Sequence, residues 1–385
     1  MRLQDIDDLI TPARVRNYSV MMAVGFGLGM IGWLLSMHAD VDPYGKPFGY
    51  DFITFYAQSV MALQGKAALA YIPFEILDVE QAVIPADTSV YLWHYPPLFA
   101  LVTLPLALVP YKLAYAGFVG VTFALYLALI RRISDHRWAL LLASAFPAVF
   151  LNSFHGQNGF LNTAVLGFGL LLLERRSFLA GLVLGLLVYK PHFGVLLPFL
   201  FLVTKNWRAF AGAALSASLF IASSFAVFGT APWLMFLENL TLVRSLLESG
   251  YLPWPKIPSW FVTFRYLGVP QPTAYALHAA IALSVCAAAL RAWRRSGPVE
   301  LKLALTVLAT ISVSPYMFDY DLVLLALPIA LVADYGRRHA LPPGVKAALA
   351  LGFVTPIVFT PIAGAVHLQL MPVAILVVFV AVWRA

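Results

Sequence analysis

The chain has 385 residues, 61% of them hydrophobic and only 11% charged, with a formal net charge of +7. A soluble domain carries about 25% charged residues, and apolar runs of about 20 residues recur along this whole chain. The composition therefore excludes a soluble enzyme and predicts an all-α polytopic membrane protein. Nor does the positive balance point to nucleic acid, because the basic residues sit in short clusters between apolar runs, as a cytoplasmic-side excess would.

The first run covers 18–37, with Arg2, Arg14 and Arg16 ahead of it, and reads as a signal anchor. Residues 38–95 form the first outer loop, with seven acidic residues against Lys46 and Lys66. Within it lies Gly49-Tyr-Asp-Phe-Ile-Thr-Phe-Tyr-Ala-Gln-Ser-Val-Met-Ala-Leu-Gln-Gly65. Wound as a helix, it puts Asp51, Thr54 and Gln58 within about 60° of one another. Phe52, Tyr56, Val60 and Leu63 take the other side, which predicts an interfacial helix ending at Gly65. Asp51 at its start has two readings, a helix cap or a catalytic base just outside the hydrocarbon.

Trp93-His-Tyr-Pro-Pro97 closes the loop, and its double proline fixes an extended entry into the next segment. His94 there is a candidate contact for a sugar hydroxyl or a phosphate. Residues 96–110 are too short to span and predict a re-entrant or tilted helix. Further spans are expected at 111–130, 138–151 and 159–174, and His155-Gly-Gln-Asn158 joins the last two at their outer end. That turn suits a sugar, or else hydrogen-bonds between helices.

Residues 178–204 are broken at Lys190-Pro191. A cation at membrane depth needs a partner or water, so Lys190 either holds a lipid phosphate or pairs with a carboxylate such as Asp319. Spans follow at 209–228, 272–290, 299–314, 321–334, 346–360 and 369–383, for about 10 to 13 crossings in a single domain, 1–385. Between them lie an outer loop at 229–260, rich in Pro and Trp, whose Arg244, Lys256 and three tryptophans could bind an acceptor without a specific signature, and Ser314-Pro-Tyr-Met-Phe-Asp-Tyr-Asp321 at an outer boundary. The latter reads as an aromatic anchor with capping carboxylates. Gly25-Phe-Gly-Leu-Gly29 and Gly181-x-x-x-Gly185 read as helix-packing faces, and Cys286 lies within an apolar run as packing. No ligand spacing for a metal, no phosphate-cradling loop and no cofactor fingerprint is present.

Asp51-Phe-Ile-Thr-Phe-Tyr56 with Gly65, Tyr95-Pro-Pro-Leu-Phe99, Gly156-Gln-Asn158 and Lys190-Pro191, in this order, resemble the GT-C membrane glycosyltransferases, and among them glycosyltransferase family 87. The resemblance implies a GT-C-type fold and a polyprenyl-phosphate sugar donor, with mannose the expected hexose. It implies a lipid-linked or glycan acceptor and an active site outside a bacterial inner membrane, facing the periplasm. Asp51 is then the general base. Lys190, with His94 and Arg265, is expected at the donor phosphate. Tyr56, Tyr95, His155, Gln157, Asn158, Tyr316 and Asp319 are expected around sugar and acceptor. One departure stands out: members often have a histidine in the late Ser-Pro motif, where this chain has Met317, Phe318 and Asp319. The competing class is a transporter or lipid flippase, which calls for inverted repeats and polar groups at the midplane.

Overall fold

The computed structural model describes residues 2–87 and 89–385. Among them every regular element is helical, and strand pairing is limited to isolated bridges within 38–47. Five helices are long and apolar enough to cross a membrane: Pro12–Leu35, Tyr111–Ile133, Trp207–Phe228, Gln271–Trp293 and Val345–Val366. Shorter apolar helices lie between them, including Gly159–Leu172 and Met371–Arg384. The chain is an all-α polytopic membrane protein.

Val299–Val313 is the centre of the bundle. Leu303, Ala304, Leu305, Val307, Leu308, Ala309 and Ile311 are all buried along it. Pro12–Leu35, by contrast, stands at the edge, with Met21, Leu28 and Leu35 exposed. This contrast separates the two glycine motifs. A Cβ on Gly181 would lie 2.0 Å from the Ala209 carbonyl oxygen, and one on Gly212 2.3 Å from that of Phe178. Ser177–Gly185 and Trp207–Phe228 are therefore packed backbone to backbone, the dispersion-driven contact that apolar helices use in lipid. At Gly25, Gly27 and Gly29 the expected packing face meets no described residue, since a Cβ there would have open space, although Phe26 between them stacks on Phe150.

Several expected spans are differently built. The span at 138–151 is two helices, Ala139–Ser144 and Pro147–His155, because Pro147 can begin a helix but cannot continue one. The span at 321–334 opens with a 3-10 segment, Asp319–Leu325, before Ala326–Arg338. The outer loop 229–260 contains an 18-residue helix, Ala231–Glu248, tied to the first outer loop by Asn239 Nδ2 donating to the Trp93 carbonyl at 3.1 Å. The short helix expected at 96–110 is Pro97–Thr103 continued by a 3-10 turn, Leu104–Leu108, and the break expected at Lys190-Pro191 is present between Leu186–Tyr189 and Pro191–Phe193.

The helix carrying the outer-loop motif, Phe52–Leu63, does not lie on a surface as expected. Thr54, Gln58 and Ser59 on its polar side are buried. Thr103 Oγ1 donates to Gln58 Oε1 at 2.9 Å, and Ser59 Oγ donates to the Leu104 carbonyl at 2.8 Å. Gln58 and Ser59 are thus satisfied by the 97–108 segment rather than by water, whereas the Thr54 hydroxyl is buried without a partner. Phe52 and Phe55 on the same helix enter an aromatic cluster with Tyr111, Tyr115, Phe118, Trp93 and Phe99.

Two polar zones mark the ends of the bundle. Arg337 and Arg338 pair with Asp334, Asp135 and Glu300 at one end. Tyr111–Ile133 leads from there to the other end, where the Tyr111 hydroxyl donates to the Phe48 carbonyl. At 23 residues and about 1.5 Å of rise each, that helix is long enough to cross the hydrocarbon.

Candidate active site

Asp51 is delivered by a turn built on Asp42. Asp42 Oδ1 accepts from the backbone N–H groups of Tyr44 and Lys46 at 2.9 Å each, and the Tyr50 hydroxyl donates to Oδ2 at 2.6 Å. Gly49 sits at φ +77° with a Tyr115 ring carbon 2.8 Å from where a Cβ would be. Only glycine meets both demands. Asp51 then stands at the cap position just before the Phe52–Leu63 helix, with its side chain making no cap hydrogen bond. The capping reading of this residue is therefore not realised.

The second strand of the site comes from the turn after Pro147–His155. Gly156 ends that helix at φ +57°, and a Cβ there would lie 2.5 Å from the Phe52 Cβ. A bare backbone lets the 155–158 turn lie directly on the start of the Asp51 helix. His155 and Gln157 consequently flank the carboxylate. Gln157 Nε2 donates to Asp51 Oδ2 at 3.2 Å, and His155 Nδ1 stands 3.4 Å from the same oxygen. The latter is an ion-pair distance without hydrogen-bond alignment. Burial opposes the charge on Asp51, but the neighbouring His155 and Lys256 charges and the Gln157 hydrogen bond outweigh it, and the carboxyl is held below its ordinary value. The Asp51 side chain keeps 22% of its surface exposed, so a substrate hydroxyl can reach it.

His155 links two carboxylates. Its Nε2 lies 3.9 Å from Asp319 Oδ1 and 3.4 Å from Lys256 Nζ. The late Ser-Pro motif lacks a histidine of its own, yet a histidine faces its Asp319 from the 155–158 turn. Behind Gln157 the polar chain continues inward. Tyr95 donates to Gln157 Oε1 at 3.0 Å, and Asn158 Oδ1 accepts from Asn162 Nδ2 at 3.0 Å and from Lys190 Nζ at 3.2 Å. Lys190 Nζ also donates to Asp321 Oδ1 and Oδ2, at 2.7 and 2.9 Å.

The expected residues thus divide. Asp51, Tyr95, His155, Gln157, Asn158 and Asp319 are brought together. Lys190 is joined to them through Asn158, but its partner is Asp321 rather than Asp319, and Asp321 with Asn158 occupies its three N–H donors. In this arrangement it offers nothing to a phosphate. Tyr56 points elsewhere, its hydroxyl donating to the Val109 carbonyl at 3.0 Å. Arg265 donates to the Val269 carbonyl at 2.9 Å and lies over the Trp254 ring at 5.7 Å. His94 is 3.4 Å from Asn239 Nδ2, and burial pushes its imidazole down to about 4, so it is neutral at pH 7 and cannot serve as a cation. Tyr316 stands edge-on to the His94 ring at 6.5 Å.

Sequence reasoning placed Lys256 only in an outer loop that could bind an acceptor, and did not single out Asn162 or Asp321 as site residues. Asn162, a lone amide in the apolar run 159–172, was the available signal for an inward polar chain. A cavity of about 410 Å³ beside Arg291, Arg294 and Trp383 contains none of these groups. Among the described residues no three His, Cys, Asp or Glu side chains gather as a metal set.

A membrane-embedded helical bundle with a partly accessible, ionised carboxylate among imidazole, amide and ammonium groups at one end defines a membrane enzyme rather than a passive span. The model of glycosyltransferase family 87 matches residues 93–315, more than half of the chain. The protein belongs to glycosyltransferase family 87. The match takes in the 93–97 entry, the 155–158 turn, Lys190 and Lys256, whereas Asp51, Asp319 and Asp321 lie outside it. No curated protein and no solved structure matches the chain.

Proposed function

We propose that this glycosyltransferase moves a hexose, mannose in the first instance, from a polyprenyl-phosphate carrier to a hydroxyl of a lipid-linked or glycan acceptor, with Asp51 as general base. The observation that carries the reading is Asp51 itself, a carboxylate that caps nothing, holds its charge and keeps part of its surface open. In the step, Asp51 takes the acceptor proton as the acceptor oxygen bonds to the anomeric carbon. The bond from that carbon to the phosphate oxygen breaks, and its electron pair leaves with the phosphate. A phosphate leaving group needs no proton, so one carboxylate suffices where a glycosidase uses two. Gln157 and His155 keep Asp51 turned toward the acceptor.

The whole chain, 1–385, acts as a single domain in this reading. Following the charge rule, the basic end faces the cytoplasm, and the Asp51 end faces the periplasm of a bacterial inner membrane. A nucleotide-sugar donor lacks a seat here, because no glycine-rich phosphate loop or soluble domain accompanies the site. The Lys190–Asp321 pair is internally satisfied and adjoins the site, which favours an enzyme's buried support over a transporter's open polar path.

The test is transfer by the purified protein in nanodiscs. Polyprenyl-phosphate mannose should be consumed, with free polyprenyl phosphate released, in the absence of nucleotide sugar and added divalent metal. Efficient transfer from a nucleotide sugar with no lipid carrier present would overturn the donor assignment.

A further inference from the structure

A departing phosphate requires a cation with hydrogen-bond donors to spare. Lys190 has none, its ammonium being shared among both oxygens of Asp321 and Asn158 Oδ1. His94 is packed against Asn239. Arg265 keeps donors to spare, its Nε having no partner, but its contacts are the Val269 carbonyl and the Trp254 ring, and none joins it to Asp51, His155 or Gln157. Lys256 is different. Its ammonium stands 3.4 Å from His155 Nε2, and among the described residues it has no carboxylate at ion-pair distance. Two of its three N–H donors are therefore uncommitted.

Its position is also built rather than incidental. Lys256 ends the short Trp254–Lys256 turn, whose carbonyls at Trp254 and Pro255 accept from Gln369 Nε2 at 2.7 and 3.2 Å. Trp254 Nε1 donates to the Leu247 carbonyl at 2.8 Å, and the next residue, Ile257, is fully buried with Phe261 and Leu247. A buried glutamine, an indole anchor and an apolar wedge hold one lysine over one imidazole. Asp51 Oδ2 stands 3.4 Å from Nδ1 of that ring, and Lys256 Nζ 3.4 Å from its Nε2. Base and cation thus meet opposite nitrogens of the same ring.

We propose that Lys256 is the seat of the donor's phosphate: its ammonium turns from His155 to the phosphate oxygens and neutralises the charge left when the bond to the sugar breaks. This rests on the lipid-phosphate donor reading above. It assigns the role to a residue of the outer segment 249–259 instead of to the membrane-depth lysine. Lys190 in this scheme is a positioning residue, holding Asn158 and through it the turn that presents Gln157.

The experiment compares wild type, Lys256→Gln and Lys256→Arg in nanodiscs, with farnesyl phosphate as the binding probe and farnesol and inorganic phosphate as controls. Farnesyl phosphate affinity should fall about tenfold or more in Lys256→Gln, the scale of one lost charge-assisted contact, and should be largely kept in Lys256→Arg. Farnesol binding should not change. In transfer assays kcat/KM for the lipid-phosphate sugar should fall about 10²-fold in Lys256→Gln, with the KM for acceptor unaltered. Equal farnesyl phosphate affinity in wild type and Lys256→Gln overturns the proposal. So does a loss shared by farnesol, or one confined to the acceptor KM, which would seat the acceptor there instead. If inorganic phosphate competes as strongly as farnesyl phosphate, the site reads phosphate alone and the lipid donor assignment falls, while the Lys256 contact stands. Lys256-dependent prenyl phosphate binding without any hexose transfer would likewise strike the donor reading and leave the phosphate seat.

Discussion

Replacing Asp51 by Asn separates catalysis from folding with unusual clarity, because the structure gives this side chain so little to support. It makes no cap hydrogen bond, and its one aligned partner, Gln157 Nε2 at 3.2 Å, can donate equally well to an asparagine oxygen. The change in stability should therefore stay within about 1 kcal/mol, the net worth of one such hydrogen bond. The catalytic effect has a different scale. Loss of a positioned base costs about 10²- to 10⁴-fold, or about 3–5 kcal/mol in the barrier. The pH profile adds a second check. Burial alone would raise the carboxyl, but the His155 and Lys256 charges and the Gln157 bond hold it below the ordinary 3.8. The acid limb of kcat/KM in wild type should accordingly fall below about pH 4, and it should move upward in His155→Ala and vanish in Asp51→Asn. The assay is mass-spectrometric detection of hexosyl transfer from polyprenyl-phosphate mannose, run beside thermal unfolding. Activity that survives in Asp51→Asn, or that declines only as far as the protein unfolds, would refute the base assignment.

Three other outcomes follow from the geometry. Lys190→Met should destabilise by about 3–5 kcal/mol by stranding Asp321, and Lys190→Met/Asp321→Leu should recover most of it; thermal unfolding of the two variants and Asp321→Leu closes the cycle, and simple additivity would deny the coupling. Glu80 in the first outer loop is fully buried, and burial first, then the Asp87 charge, pushes its carboxyl up to about 9 against a backbone hydrogen bond from Tyr91. The folded state thus keeps a proton that the unfolded chain releases, so stability should drop as pH rises from the ordinary 4.5 toward 9, by at most about 1.4 kcal/mol per unit. Glu80→Gln should flatten that slope in melts from pH 5 to 8. Gly156→Ala puts a methyl 2.5 Å from the Phe52 Cβ at φ +57°, and should cost about 1–3 kcal/mol in denaturation together with a larger loss of turnover, since the shifted turn carries both His155 and Gln157.

Much of the site was legible because its chemistry breaks the apolar text around it. Asp51, the 155–158 turn and the Lys190-Pro191 break each interrupt a hydrophobic pattern, and the structure joins all three. The partner of Lys190 was not legible. Asp319 and Asp321 are two residues apart in a 3-10 segment, where three residues make a turn, so they point to different sides. One faces His155 and the other Lys190. Lys256 was hidden for another reason, since a single cation in a Pro-Trp-Pro-Lys turn has neither periodicity nor a neighbouring polar residue to mark it. The helix Ala231–Glu248 was read as loop because its proline, tryptophan and mixed charges resemble an irregular segment, although Pro232 sits where a helix tolerates it. The two glycine motifs look alike in sequence, and only the presence of a facing helix at 207–228 distinguishes the packed one from the open one.

The bond from Gln369 to the Trp254 and Pro255 carbonyls bears on how the protein is made. Chains are synthesised from the N-terminus at a finite rate, and this glutamine lies in the turn before the last helix, Met371–Arg384. Asp51, His155 and Gln157 emerge first, Lys256 after them, and Gln369, which pins the Lys256 turn, later still. A nascent chain already threaded into the bilayer therefore holds its carboxylate without a fixed cation opposite it. The Lys256 turn is pinned only once Gln369 has emerged, so a chain inserted no further than that turn holds an unfinished site.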